Sequence, residues 1–152
     1  MKYIAYGSNM NLEQMAVRCP TAKVVGIGFI YGYQLYFDYH ADIFYTGNMH
    51  DVVPVLIWEL KASDWKALDR YEGYPLYYLK EIVYVKYNGK REKCIAYVMN
   101  HAEIGYEMPT DTYLKCIARG YRDNNIDISY LMDALKVTLV NCMDDIDYKK
   151  WK

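Results

Sequence analysis

The chain has 152 residues, is 53% apolar and carries a formal net charge of −1. That length and apolar share predict one domain, residues 1–152, with a proper core, and the near-neutral charge removes the electrostatic case for nucleic acid or an anionic membrane as partner. No run approaches a membrane span, and polar residues interrupt Met1–Met10 too often for a signal-peptide core.

Lys2 to Tyr6 is short, apolar and β-branched or aromatic, and reads as a strand. Gly7-Ser8-Asn9 breaks it with turn-forming residues. A helix follows at once: Asn11 is the N-cap, Gln14 completes a capping-box pattern, and Leu12, Met15 and Ala16 give the apolar stripe. Cys19-Pro20-Thr21 is a break. Lys23 to Tyr39 alternates with period two, with Gly26, Gly28 and Gly32 on the minor face. It is one long strand bent at its glycines, or two shorter strands joined at Gly32. Asp42 to Asp51 is loop with a short strand at Ile43–Tyr45. Val52 to Leu60 is a strand whose Pro54 belongs at an edge or outside the ladder.

Ser63 is predicted to cap a short helix that holds Asp64, Trp65, Leu68 and Asp69 and stops at Gly73 and Pro75. Tyr77 to Tyr87 and Lys90 to Met99 are strands joined by a type I′ turn at Asn88-Gly89. Asn100 to Met108 is loop. Pro109 and Thr110 open a helix with Tyr113, Ile117 and Tyr121 on one face, ended by Asn124-Asn125. A last helix starts near Asp127 or Ser129 and runs to about Cys142, followed by a charged tail in which Trp151 stands out. The fold class is α+β: a mixed, curled or closed β-barrel with peripheral helices.

Nineteen tyrosines can build a pocket with apolar walls and a few polar points. Four scattered cysteines without a C-x-x-C pair suit buried thiols in a reduced, cytoplasmic protein. His40, His50 and His101 show no metal-ligand spacing, so no metal is expected. There is no G-x-S-x-G, Walker loop or H-E-x-x-H. The Tyr3–Asn11 stretch, a strand passing through glycine into a helix start, suits a backbone cradle for a carboxylate or an oxyanion. Glu72 sits at a helix end among tyrosines, where its charged form is disfavoured. A raised pKa there suits a group that both takes and gives a proton near neutral pH. The alternative for Glu72 is a solvated loop carboxylate, and for Tyr113 a core aromatic.

Tyr6-Gly7-Ser8-Asn9 resembles the Y-G-S-N loop of the γ-glutamylcyclotransferase superfamily. The segment from Leu68-Asp69 through Tyr71-Glu72-Gly73 to Pro75 and Tyr78 is similar to the region around that family's catalytic glutamate. Its E-G-x-P-x-x-Y part is closest to the γ-glutamylamine cyclotransferase and AIG2-like branch. Tyr113, Ile117 and Gly120 resemble the late helix of γ-glutamylcyclotransferase proper, which carries a substrate-binding tyrosine. The resemblance covers residues 3 to about 125 in the family's order. Met10 departs from the family's common Leu, and the mixture of branch features leaves the leaving group open.

The resemblance implies a cofactor-independent enzyme acting on a small γ-glutamyl compound. The substrate's own α-amine would attack its γ-carbonyl to give 5-oxoproline and a free amine or amino acid. Glu72 would be the proton acceptor and donor. Tyr3, Tyr6, Gly7, Ser8, Asn9 and Tyr113 would bind substrate. A catalytically inactive small-molecule-binding member of the same fold is the alternative. The released group could be an amino acid, the cysteinylglycine of glutathione, a lysine side chain or an antibiotic intermediate. Its contacts are expected from Asp42–Asp51 and Asn100–Met108, with Glu103 and Glu107 favouring a cation. A monomer or homodimer is expected.

Overall fold

The computed structural model describes the backbone of residues 1–150 and the side chains of residues 1–143. Seven strands and four α-helices alternate along the chain: β1 (Lys2–Ala5), α1 (Leu12–Arg18), β2 (Lys23–Tyr31), β3 (Tyr33–Asp38), β4 (His40–Tyr45), β5 (Val52–Glu59), α2 (Ala62–Glu72), β6 (Tyr78–Tyr87), β7 (Lys90–Met99), α3 (Asp111–Asp123) and α4 (Ser129–Lys150). Strands β1, β5, β2, β6 and β7 close into a barrel in that order. The closing pair, β1 with β7, is parallel, and its neighbours pair antiparallel. The sheet is therefore mixed and closed, as the alternation and the glycine-bent strand predict.

Of the two readings of Lys23–Tyr39, the shorter strands hold. Gly32, at φ 82°, ends β2, and β3 leaves the barrel to pair with β4 in a separate two-stranded sheet. Strand β4 begins at His40, earlier than the predicted Ile43, because β3 and β4 pair without a break from Tyr33–Tyr45 to Asp38–His40. The barrel bends at the glycines of β2: the register slips between Val24 and Gly26, and a Cβ on Gly28 would meet Val85 Cγ1 at 2.5 Å. Pro54 is inside the ladder, opposite Phe29 of β2. The β1 ladder, however, reaches only Leu56–Trp58 of β5, so Pro54 stands where that strand has one paired neighbour.

The N-cap of α2 is Lys61, not Ser63. Asp64 reaches back to the Lys61 N–H at 2.9 Å and also takes Thr21 Oγ1 at 2.7 Å, so the buried Asp64 fixes the helix start. At the other end Gly73 adopts φ 64°, the left-handed conformation that closes a helix, and Glu72 becomes the last helical residue. Asn88 and Gly89, at φ 51° and 72°, form the predicted turn between β6 and β7. The last helix passes Cys142 and continues to Lys150, since no glycine or proline follows to stop it. Trp151 lies outside the described residues. Among the described residues no helix is long and apolar enough to cross a membrane.

Helix α4 covers the β3–β4 sheet, where the buried Thr138 hydroxyl takes the Phe37 N–H at 2.9 Å. Helix α3 packs its predicted stripe inward: Ile117 and Tyr121 are fully buried. Tyr121 Oη has no hydrogen-bond partner among the described residues. A buried hydroxyl without a partner costs about 1–3 kcal/mol of desolvation. Tyr121→Phe should therefore keep the ring packing and raise the melting temperature in a thermal scan; a clear fall would show that the hydroxyl has a partner in solution.

Candidate active site

The segment after β1 does not run straight into α1. Ser8–Met10 form one 3-10 turn, closed by the Met10 N–H on the Gly7 carbonyl, and Asn11 then caps α1 by taking the Gln14 N–H at 3.1 Å. The capping box is half made, because Gln14 Oε1 takes Arg18 Nη2 at 2.6 Å while the Asn11 N–H bonds the Ser8 carbonyl. The first turn of α1 does not line the cavity described below, so any anion cradle here is the loop itself. The N–H groups of Gly7, Ser8 and Asn9 make no hydrogen bond among the described residues.

Asn9 organises the site. Its side chain is buried. Arg18 Nη1 donates to its Oδ1 at 2.6 Å. A guanidinium can only donate, so this bond fixes the orientation of the amide. Asn9 Nδ2 then donates to Tyr3 Oη at 2.9 Å and to Glu72 Oε1 at 3.4 Å. The Asn9 carbonyl takes Trp58 Nε1 at 3.1 Å. Arg18 is itself stacked on Tyr71, its Cζ 3.7 Å from the ring centre.

Glu72, Tyr3 and Gly7–Asn9 open onto one cavity of about 260 Å3, completed by Tyr6, His40, Ala41, Tyr78, Tyr97 and Tyr113. At Gly7 there is little room beside it: a Cβ would stand 3.1 Å from Ala41 Cβ and 3.4 Å from Tyr113 Oη. Tyr113 Oη accepts the Ala41 N–H at 3.0 Å and keeps its own O–H free among the described residues. Tyr3 Oη is likewise used as an acceptor. The Tyr78 hydroxyl makes no hydrogen bond among the described residues. Three phenols at the cavity thus retain a donor. Tyr6 differs: its hydroxyl donates to the Tyr97 carbonyl at 2.6 Å, which fixes the ring as wall.

Burial pushes the Glu72 carboxyl up to about 7, against the opposing pull of Arg18. Burial also pushes the phenols of Tyr3, Tyr78 and Tyr113 up, and the Glu72 charge adds to each. They are therefore hydrogen-bond donors near neutral pH, and Glu72 is the carboxyl at the cavity able to exchange a proton there. The cause is burial of a half-covered carboxylate; of the two grounds for a raised pKa in the sequence, the tyrosine surroundings match it, rather than the helix end. Its contact with Asn9 is long, and no cation compensates it closely.

All seven sequence-predicted residues, Glu72, Tyr3, Tyr6, Gly7, Ser8, Asn9 and Tyr113, line this cavity. Sequence reasoning missed His40 and Ala41, brought in by the β3–β4 sheet, and Arg18, which acts through Asn9. None of the three belongs to a short motif. Tyr78 stood within the quoted E-G-x-P-x-x-Y segment without being assigned a role.

A second cavity of about 550 Å3 adjoins the first and shares Glu72, Tyr71, Tyr78 and His40 with it; Asp38, Arg70, Asn100 and His101 are among its other walls. The expected contribution of Asn100–Met108 is thus limited to its first two residues, and Glu103 and Glu107 line neither cavity. Within Asp42–Asp51, Asp42 is buried below His101. It takes Tyr36 Oη at 2.5 Å, the Met99 N–H at 3.1 Å and the His101 imidazole at 3.0 Å. Tyr45 and Met49 face a separate groove with Tyr31 and Tyr33. Among the described residues no group of His, Cys, Asp and Glu could hold a metal.

The family model described as gamma-glutamyl cyclotransferase, AIG2-like matches residues 3–115. Gamma-glutamylcyclotransferase from Homo sapiens is 28% identical over 142 residues, covering 84% of this chain and 73% of the human protein. The Bos taurus protein of the same name is 27% identical over 161 residues, covering 97% of this chain and 80% of its own. A solved structure of a gamma-glutamyl cyclotransferase superposes with a TM-score of 0.76 at 26% identity, over 91% of this chain and 87% of its own.

Carboxyl-directed NMR should place the Glu72 titration at about 7, against 4.5 for the group in an unfolded chain. The folded state therefore holds the proton more tightly. The resulting stabilisation is complete below about pH 4.5 and is lost as pH rises through about 7. Glu72→Gln removes this dependence, so its melting temperature should gain on the wild type between pH 5 and 8. A constant difference across that range would show that Glu72 titrates normally.

Proposed function

Because the chain belongs to the gamma-glutamyl cyclotransferase, AIG2-like family, we propose that it cyclises a γ-glutamyl group to 5-oxoproline and releases an amine or amino acid. The observation that carries this reading is Glu72, a half-buried carboxyl poised at about 7, on one cavity with the free N–H groups of Gly7–Asn9. The cavity, of about 260 Å3, is on the scale of a small molecule.

In this reading the substrate α-carboxylate lies against the Gly7–Asn9 amides. The α-ammonium faces Glu72, which takes one proton. The freed amine attacks the γ-carbonyl carbon, forming the new C–N bond of the ring and an oxyanion on the former carbonyl oxygen. Phenol O–H donors, Tyr113 first and Tyr3 or Tyr78 beside it, stabilise that oxyanion without reorganising. The oxyanion collapses, the old C–N bond breaks, and Glu72 gives its proton to the leaving nitrogen; Glu72 then takes the second proton from the new ring nitrogen and passes it to the released amine, which departs as an ammonium. Nucleophile and electrophile belong to one molecule, so the reaction itself requires no cofactor; the protein supplies a folded conformer and a proton carrier. Tyr6 serves as a fixed wall. Asn9 holds Glu72 and Tyr3 in place and offers only its backbone N–H.

Glu72→Gln should lower 5-oxoproline release by about 10²–10⁴-fold, the usual worth of a positioned acid–base group, while 5-oxoproline still binds in a calorimeter. Wild-type turnover in this variant would refute the mechanism, and a wild-type protein that binds but never turns over would be an inactive binder. Gly7→Val fills the space between Ala41 and Tyr113 Oη. It should weaken 5-oxoproline binding far more than it lowers the melting temperature; matching losses would mark Gly7 as purely structural.

A further inference from the structure

Strand β6 is paired along its whole length on one side and almost nowhere on the other. It matches β7 from Tyr78–Met99 to Tyr87–Lys90. Towards β2 the ladder has a single pair, Phe29 with Lys86. The reason lies in β2, which ends at Tyr31, after which the chain leaves for β3 and the separate sheet. The stretch from Leu79 to Val85 thus has β7 as its one strand neighbour among the described residues. About half the backbone N–H and C=O groups of such a stretch point away from the neighbour, a template for one more strand. The groove of about 700 Å3 that holds Tyr31, Tyr33, Tyr45 and Met49 borders this edge, with Ile82, Val83 and Tyr84 as its other wall.

The side chains of the groove define what fits there. Tyr31, Tyr45, Met49, Ile82 and Tyr84 are all exposed, so the groove presents apolar surface to water. Its charges are of one sign. Lys86, Lys90 and Arg91 line it, and Lys93 stands opposite Tyr84 in the β6–β7 ladder. None of these cations forms an ion pair among the described residues. Lys86 Nζ is 5.9 Å from the centre of the Tyr31 ring, and Arg91 Cζ is 4.0 Å from that of Tyr84. No carboxylate lines the groove. Of the hairpin's acids, Glu92 is paired with Lys2 at 2.8 Å, and Glu81 lies towards the start of the edge, away from the cations. In a chain of net charge −1, unpaired cations gathered at one end of a groove attract an anionic partner.

We propose that the free edge of β6 is a docking site for an extended acidic segment of a partner protein, which adds as a strand beside Leu79–Val85. The edge selects a polypeptide, because another peptide backbone alternates donors and acceptors in the same way; a nucleic-acid strand would meet the cations and rings and leave the edge unpaired. Charge argues against a second copy of this chain, since two β6 edges paired antiparallel about Val83 would set Lys80 opposite Lys86. Both strands that pair with β6 are antiparallel to it. An added strand of that sense begins where β6 ends, at Lys86, Lys90 and Arg91. Its acidic residues therefore belong in its first half, and alternate apolar side chains further on rest against the exposed rings. The groove shares no residue with the cavity at Glu72, so the inference does not rest on the cyclotransferase reading.

The test is fluorescence anisotropy of the whole protein with a labelled ten-residue peptide, three glutamates followed by alternating valine and threonine. Saturable binding is expected. N-methylation of two alternate residues in the valine–threonine half should weaken it by about fivefold for each backbone hydrogen bond lost. That loss should occur in one register and not in the other, where the methyl groups face solvent. Lysines in place of the glutamates should abolish binding. Lys86→Glu and Lys90→Glu should each weaken it by about fivefold, the upper range for a solvent-accessible ion pair, with melting temperature and 5-oxoproline release unchanged. Absence of saturable binding up to about 1 mM peptide, equal loss in both N-methyl registers, or equal binding of the lysine peptide would overturn the proposal. So would tighter binding of a ten-residue oligothymidylate, which would make the groove a nucleic-acid site. A dimer in sedimentation that the peptide dissociates would make the edge an interface between copies and overturn it as well.

Discussion

The hydrogen bond from Arg18 to the Asn9 amide oxygen, 2.6 Å long, is the constraint on which the site depends. It decides which end of a buried carboxamide faces the cavity, and so gives Glu72 and Tyr3 a shared donor. The same residue anchors the loop to the barrel wall through the Trp58 indole. Three elements distant in sequence, the loop after β1, the end of α2 and strand β5, are thereby tied at one residue, through its side chain and its carbonyl. Arg18 has little freedom of its own, because it is stacked on Tyr71 and bonded to Gln14. A carboxamide held from several sides is rigid, and its rigidity keeps the proton carrier in place.

The carboxylates of the protein show how selectively this network compensates charge. Asp64 takes the Lys61 N–H and the Thr21 hydroxyl, Asp69 takes Lys80 and Tyr97, and Asp42 takes a tyrosine, a histidine and a backbone N–H. Each is covered and each is answered. Glu72 is covered and answered by one long contact. The difference is what raises its pKa, and what makes it useful: full pairing with Arg18 would fix it as a permanent anion. Instead, Arg18 is turned towards Asn9 and Tyr71, near enough to moderate the shift and too committed to abolish it.

Much of the architecture was legible along the chain because it is local. Period-two alternation marks β2 and β3, an Asn-Gly pair marks the β6–β7 turn, and glycine in the left-handed region marks the end of α2. Errors fell where tertiary pairing overrides local signals. Ser63 has the side chain of a cap, yet Asp64 provides the bond because Thr21 from another segment holds it. Pro54 is tolerated in a ladder because β1 is too short to require a partner there.

By itself the sequence determined the Y-G-S-N loop, the position of Glu72 at a helix end and the inward face of α3, since each depends on neighbours within a turn or two of chain. The seven predicted residues consequently meet at one cavity. Only the tertiary structure decided what surrounds them. Barrel closure through the parallel β1–β7 pair brings Tyr97 beside Tyr3, and the β3–β4 sheet brings His40 and Ala41 over Gly7. The excursion of that sheet from the barrel also leaves Asp38 and Arg70 facing one outer space. Burial and hydrogen bonding, which set the proton affinity of Glu72, arise from contacts between residues dozens of positions apart, and no short-range pattern in a chain encodes them.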